Sequence, residues 1–210
     1  MIKEQLNELL NNMKKHSTVL DTLKQEYETK IKNLEETYKN PTLSNKIFEA
    51  EQEYKHTLLN LKDNNIKNVE KVFNSIKEQI NKVVSKDVPA DFINTIQFID
   101  ILGEKISAHE IEIYINKYKD NYMAIRGVLN ILNKNNKKKD IEVISLDEVL
   151  DNIQQVYNEV TNFFNNGHET YQAFVLTSAN GPIQELSNYL DDFLSGHFIK
   201  NVIQGIIGDE

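Results

Sequence analysis

The sequence predicts an all-α protein: a long N-terminal antiparallel α-helical hairpin, of coiled-coil type, followed by a globular bundle of five or six helices. The 210 residues include only seven glycines and three prolines, and no glycine precedes Gly103. Apolar residues recur three or four positions apart over most of the chain, as on one face of a helix. The only β-like run, residues 141–144, is too short to found a sheet, so at most one short β segment is expected there.

The hairpin is predicted over residues 1–86, with its turn at Asn40-Pro41, because a proline drives the residue before it out of the helical region. Facing residues of antiparallel arms have a constant sum of residue numbers, and a sum of 81 or 82 matches apolar with apolar residues. His16 and Asn65 interrupt this apolar seam and also add up to 81. We predict that they face each other and set the register, as buried polar residues do in coiled coils. The alternative is that His16 lies at the solvent edge.

Residues 87–210 are predicted to form the helical globular domain, whose last third is acidic. Its helices are delimited by local signals, namely capping residues, glycines and a proline. Asp87 is the predicted N-cap of a helix that ends at Gly103, and capping boxes are predicted to open at Ser107 and Ser145. One helix is predicted from Ser107 to Leu132, with a close helix contact at Gly127. A turn at Asn180-Gly181-Pro182 and a last short helix from Phe198 are predicted near the C-terminus. Residues 168–179 are compatible with a helix or with an extended segment.

The charge is concentrated at one end of the chain. The net charge is −8, and residues 140–210 carry twelve acids against a single cation, Lys200. Such a segment repels nucleic acid phosphates and favours a basic protein surface, the alternative being a solvated acidic surface without a partner. The absence of cysteine excludes disulfides and thiolate chemistry, so any metal site would need His, Asp and Glu.

No membrane or export segment is expected. The polar N-terminus lacks an apolar signal region, and the apolar runs are shorter than the roughly 18 residues of a spanning helix. The chain is rich in Asn, Ile and Lys, which is typical of AT-rich genomes such as those of low-GC bacteria and their phages. The expected location is the cytoplasm of a bacterial host or a virion.

No enzymatic activity, cofactor or metal is predicted. Glu53 and His56 have the Glu-x-x-His spacing of di-iron bundles, with Glu49 one turn earlier, but such a site needs a second copy of the motif. His109-Glu110 resembles the start of a zinc-protease motif, but the second histidine is missing. There is no glycine-rich phosphate loop and no nucleophile elbow. A solvated helix face explains these residues better.

Three groups of residues are candidates for contacts with other proteins. The hairpin tip offers Tyr38, Pro41, Leu43 and Phe48. A basic loop contains Lys134, Lys137, Lys138 and Lys139, with a solvated loop as the alternative. The apolar C-terminus contributes Phe198, Ile203, Ile206 and Ile207, which either dock on the chain's own body or contact a partner.

The sequence therefore predicts a non-enzymatic structural or assembly protein that contacts copies of itself or other subunits. A bacteriophage virion or assembly component is its most concrete form. The alternative is a cytoplasmic adaptor or regulator that binds one protein partner through the hairpin tip. An oligomer is expected, and nucleic acid is not expected as a partner.

Overall fold

A computed structural model describes residues 2–135, 142–166 and 169–201, with the backbone alone for residues 142, 169–180, 200 and 201. The fold is all-α, and its hairpin turns at Asn40-Pro41 as predicted, through a cis peptide bond. The described elements are α1 Ile2–Thr37, α2 Thr42–Val84, α3 Phe92–Leu102, α4 Ala108–Tyr118, α5 Tyr122–Lys134, β1 Glu142–Val143, α6 Leu146–Asn165, α7 Glu169–Leu194 and β2 Ile199–Asn201, with one 3-10 turn at Gly103–Lys105.

The chain divides into two compact units whose boundary falls inside helices α2, α6 and α7. Unit 1 comprises Met1–Asn74 and Ile153–Ser187, and unit 2 comprises Ser75–Asn152 and Asn188–Glu210. The domain boundary expected between residues 86 and 87 stays a prediction.

The core of unit 1 is built from buried residues of the first half of α1 and of α2, α6 and α7. Its buried apolar residues recur at helical spacing on each element, which is the pattern that predicted the helices. They include Leu6, Leu9, Leu10, Met13, Val69, Phe73, Ile153, Val156, Val160, Phe163, Phe164, Ile183 and Leu186. Edge-on aromatic contacts connect α2 to α6, with the rings of Phe73 and Tyr157 at 5.4 Å.

In unit 2, α3 lies alongside α5. A Cβ added at Gly127 would lie 2.5 Å from Cζ of Phe92, which accounts for the glycine that the sequence placed at a close helix contact. The capping box of α4 forms as predicted: Ser107 Oγ accepts from the backbone N–H of Glu110 at 3.2 Å, while the Glu110 carboxylate accepts from the backbone N–H of Ser107 at 2.8 Å. Helix α3 is closed by Gly103 at φ +51°.

The single helix predicted from Ser107 to Leu132 is in fact two, α4 and α5. The break occurs because Asn121 caps α5, its side-chain Oδ1 accepting from the backbone N–H of Ala124 at 2.9 Å. Its Nδ2 also donates to the carbonyl of Asp87 at 2.9 Å. Asp87 is therefore not the N-cap of α3; Asp91 occupies that position, and Pro89 lies in the turn before the helix.

Two other predictions near the C-terminus are wrong. Asn180-Gly181-Pro182 is not a turn, since α7 continues through it, and Gly181 lacks the Cβ that would clash with the proline ring. Residues 199–201 are not helical but form β2, which pairs antiparallel with β1. The amide of Ile144 also donates to the carbonyl of Phe198 at 2.8 Å, which extends this pairing.

Candidate protein-interaction surface

The hairpin arms pair within one chain in the register of the constant residue sum. The rings of Tyr27 and Tyr54 stack at 4.6 Å between centroids, and these residue numbers add up to 81. One turn further, Lys30 of α1 forms an ion pair with Glu53 of α2. The antiparallel pairing of α1 with α2 therefore rests on contacts at several levels of the seam.

His16 and Asn65 are brought together in the seam. The amide Nδ2 of Asn65 donates to Nδ1 of His16 at 3.1 Å, so the imidazole is neutral and carries its proton on Nε2. The rings of Phe163 and Phe164, on α6, lie edge-on to the imidazole at 5.9 and 5.0 Å. Burial lowers the pKa of His16 below its usual value of 6.5. His16 is 5% exposed, so it does not lie at a solvent edge; its role in setting the register stays a prediction.

Burial changes abruptly along the hairpin. Most of the seam residues between Ile2 and His16 are buried, whereas between residues 17 and 64 the single buried residue is Ala50. The other seam residues of this distal segment, such as Leu20 and Leu61, are half-buried. We call residues 17–64 the distal segment. Its two helices bury apolar surface mainly against each other.

The predicted tip residues lie around the turn and differ in exposure. Tyr38 and Phe48 are 38% and 61% exposed, and Pro41 is exposed, whereas Leu43 is half-buried. Next to them, the hydroxyl of Ser44 donates to Oδ1 of Asn40 at 2.9 Å across the turn. Three of the four tip residues are therefore accessible to a partner.

A second apolar stripe runs along α2 on the side away from the seam. Phe48, Leu59, Ile66 and Phe73 are separated by 11, 7 and 7 residues, so at 100° per residue they point in directions within about 40° of one another. We call these four residues the outer stripe. Phe73 is 2% exposed and contacts Tyr157, Ile66 is half-buried, and Leu59 and Phe48 are 57% and 61% exposed.

The outer stripe is not among the surfaces that the sequence predicts, although Phe48 is one of the predicted tip residues. The spacing of the four residues places them on one side of α2, but apolar residues 11 positions apart are weak evidence for a common surface. The evidence becomes useful only when the structure shows which of them are buried. The structure shows that Phe73, at one end of the stripe, belongs to the core of unit 1, whereas Leu59 and Phe48, at the other end, are exposed.

The remaining candidate residues are placed as follows. Lys134 donates to Oδ1 of Asp100 at 3.0 Å, and Lys137, Lys138 and Lys139 lie outside the described residues. Phe198 is 1% exposed and packs edge-on against Tyr122 and Phe193, so it is part of the core of unit 2 and not accessible to a partner. Ile203, Ile206 and Ile207 lie outside the described residues.

The residues whose spacing resembles catalytic or metal-binding motifs lie on exposed helix faces. Glu49 pairs with Lys46 at 2.6 Å, and His56 is exposed. His109 is also exposed, with Nδ1 4.0 Å from Glu112. Within the part of the chain that the structure describes, no three His, Asp or Glu side chains group as a metal site.

Among the described helices, none combines the length and apolarity needed to cross a membrane.

No protein-family model matches the sequence, and comparisons with curated proteins and with solved structures likewise give no match.

Proposed function

We propose that this chain is a non-enzymatic structural or assembly protein that makes protein–protein contacts in a larger complex through the distal segment of its hairpin. The observation that carries the proposal is the outer stripe of α2. Its buried end shows that this face of α2 packs against a helix, since Phe73 contacts Tyr157 of α6.

The exposed end of the stripe lies beyond the reach of α6. His16 contacts Asn65 of α2 and also Phe163 and Phe164 of α6, so Asn65 lies beside these two phenylalanines. Helix α6 ends directly after them, at Asn165. Leu59 and Phe48 follow further towards the tip. Single exposed apolar residues need no explanation on a protein surface, but these two continue a helix-packing face.

The composition of this surface indicates what kind of partner would fit. The exposed part of the outer stripe is flanked by Gln52, Lys55, Lys62 and Asp63, and Lys55 pairs with Glu51 at 2.6 Å. A helix with an apolar stripe bordered by polar residues of both charges would complement this surface. The most concrete form of the proposal is a bacteriophage virion or assembly component, supported by the Asn-, Ile- and Lys-rich composition.

The second candidate function is an adaptor or regulator that binds one partner at the hairpin tip. It is favoured by the exposure of Tyr38, Pro41 and Phe48 around the turn. An assembly protein would occur in a complex of fixed stoichiometry, whereas an adaptor would be a monomer that binds one partner.

The test measures the native mass of the complex that contains this chain in its source cells or particles. We expect the double variant Phe48→Glu/Leu59→Glu to leave the complex, because two carboxylates would be desolvated at the contact. The matched control is Thr29→Glu/Asn33→Glu, two exposed positions on the distal part of α1. The proposal is contradicted if the wild-type chain occurs free, or if the outer-stripe variant stays in the complex as the control does.

A further inference from the structure

Two tyrosine rings are stacked across the seam of the distal segment. Tyr27 of α1 and Tyr54 of α2 have their ring centroids 4.6 Å apart and their ring planes inclined by 16°. In a stack this close to parallel, carbons of one ring lie over carbons of the other. Both side chains are half-buried, so part of each ring is open to solvent.

This pair differs from the other tyrosine ring contacts that the structure describes. Tyr118, Tyr122 and Tyr157 each lie edge-on to phenylalanine rings. A phenol gives up one electron together with its hydroxyl proton to a one-electron oxidant, whereas a phenylalanine ring has no such proton to release. Among the described ring contacts, Tyr27 and Tyr54 are therefore the pair in which two tyrosyl radicals can form side by side.

A cavity beside the pair gives the rings room to change their orientation. It has a volume of about 120 Å³, and Ala50 and Thr57 line it together with the two tyrosines. Ala50, one turn before Tyr54, is the smallest residue in this part of the seam. Stacked rings have to turn towards each other at one edge before a bond can join them. The cavity provides the space for this movement.

The composition of the chain leaves few other side chains to consume such radicals. There is neither cysteine nor tryptophan, the other two side chains that readily donate an electron to a tyrosyl radical. The methionines react differently, by taking up oxygen to form the sulfoxide. A tyrosyl radical at this pair therefore meets the second tyrosine before any thiol or indole of its own chain.

We propose that Tyr27 and Tyr54 are a site of oxidative cross-linking, at which a carbon–carbon bond between the two rings joins α1 to α2 of the same chain. Each tyrosine first gives one electron and its hydroxyl proton to the oxidant. The two radicals then couple through one Cε carbon of each ring, and the hydrogen on each of these carbons moves to the ring oxygen as a proton. The oxidant is hydrogen peroxide acting through a haem peroxidase, which takes up the two electrons and two protons and releases two waters.

The pairing of the hairpin arms favours this bond over one between two molecules. Because the arms already hold the two rings in contact, the coupling is intramolecular, and groups held together react faster than groups that must first meet. An exposed tyrosine such as Tyr38 has to meet a tyrosine of another molecule. The proposal rests on the contacts of the seam and does not depend on the proposed function of the outer stripe.

The bond would hold the distal segment closed. Tyr27 and Tyr54 are 27 positions apart, and a covalent link over such a span restricts the opened chain as a disulfide does. We expect amide hydrogen exchange of the seam residues around the link to be roughly 100-fold slower in the cross-linked protein than in the untreated protein. Unchanged exchange would contradict this consequence of the proposal.

Oxidation of the purified full chain at high dilution tests the cross-link itself. One sample is treated with a haem peroxidase and hydrogen peroxide, and a second with a photo-excited ruthenium complex and persulfate, a one-electron oxidant small enough to reach half-buried rings. We expect dityrosine fluorescence and a product that migrates as a monomer on denaturing gels. Peptide mapping should find the Tyr27 and Tyr54 peptides joined, with the loss of two hydrogen atoms.

Two conservative variants make the test specific. Tyr27→Phe keeps a ring in the stack but removes the hydroxyl, so the yield of dityrosine should fall roughly tenfold or more. Tyr38→Phe is the matched control, since it removes an exposed tyrosine of the same hairpin, and it should react like the wild type. Circular dichroism verifies that all three proteins are folded.

Three results would overturn the proposal: no dityrosine with either oxidant, products that join only different molecules, or equal yields from Tyr27→Phe and Tyr38→Phe. An intrachain product with either oxidant supports it. The outcome is separate from the outer-stripe test, since both variants leave Phe48 and Leu59 unchanged.

Discussion

At the scale of single residues, the surroundings of His16 change its chemistry. The imidazole accepts a hydrogen bond from Asn65 and lies edge-on to the rings of Phe163 and Phe164. None of these partners carries a charge, and burial disfavours the protonated form. The pKa of His16 is therefore lower in the folded state than in the unfolded chain.

This difference predicts how stability depends on pH. In the unfolded chain His16 binds a proton as the pH falls below about 6.5, whereas in the folded chain it binds one only at a lower pH. The contribution of His16 to the free energy of unfolding should accordingly be constant above about pH 7 and be lost as the pH is lowered through 6.5 towards the folded-state pKa. Urea unfolding of the wild type at intervals between pH 5 and pH 8 measures the effect.

The control for this prediction is the double variant His16→Leu/Asn65→Leu. It removes the titrating group without leaving the amide of Asn65 as an orphan, which would by itself cost about 1–3 kcal/mol. The free energy of unfolding of the double variant should not show the decrease below pH 6.5 that His16 causes in the wild type. Its thermal stability should equal or exceed that of the wild type. An unchanged pH profile in the double variant would show that His16 is not its source.

At the scale of elements, the hairpin is a pair of helices whose two ends differ in their surroundings. The part near His16 and Asn65 is covered by α6, while the distal segment relies on the seam alone. A seam of half-buried residues contributes less stability per residue than a closed core, because apolar contributions scale with the area removed from water. The distal segment is expected to be the less stable part of the hairpin.

The register of the distal segment can be tested with engineered cysteines. Leu20→Cys/Leu61→Cys places the thiols at facing seam positions, so an intrachain disulfide should form readily at high dilution. The off-register control is Leu20→Cys/Leu58→Cys, displaced by three residues, or about 4.5 Å along the helix. Non-reducing gels and peptide mapping distinguish the products. Interchain disulfides in the facing pair would mean that the arms pair between two molecules.

At the scale of the whole molecule, large apolar side chains of the same type serve in a core and on the surface. Phe198 is 1% exposed and belongs to an aromatic cluster with Tyr122 and Phe193. Phe48 is 61% exposed on the outer stripe. Only the first contributes to the stability of the isolated chain, whereas the second is available to a partner.

The same substitution at both positions separates these two uses. Phe198→Ala should lower the free energy of unfolding by about 3–5 kcal/mol, the usual cost of removing a buried phenylalanine. Phe48→Ala should change it by less than about 0.5 kcal/mol, as at other exposed sites. Chemical denaturation of the two variants makes the comparison. A large loss at Phe48 would place it in the fold's own core and would remove the basis of the proposed function.

Much of the architecture could be predicted because it depends on local chemistry and periodicity. Pro41 ends α1, Gly103 closes α3, and Ser107 with Glu110 forms the capping box of α4. Each of these signals acts within a few residues of its own position, so no long-range contact is needed to interpret it. The pairing of His16 with Asn65 could be inferred as well, because two helices of known period and a known turn leave few registers.

By itself, then, the sequence determined the all-α class, the hairpin, its turn and its register. Only the tertiary structure decided that α7 continues through Pro182, that Asn121 divides α4 from α5, and that residues 199–201 form a strand. It also decided that Leu59 and Phe48 of the outer stripe are exposed, as are Ile93, Phe98 and Ile101 on α3. Residues 199–201 form a strand only because β1 pairs with them, and Asn121, whose cap on Ala124 is local, also binds the carbonyl of Asp87, 34 residues away.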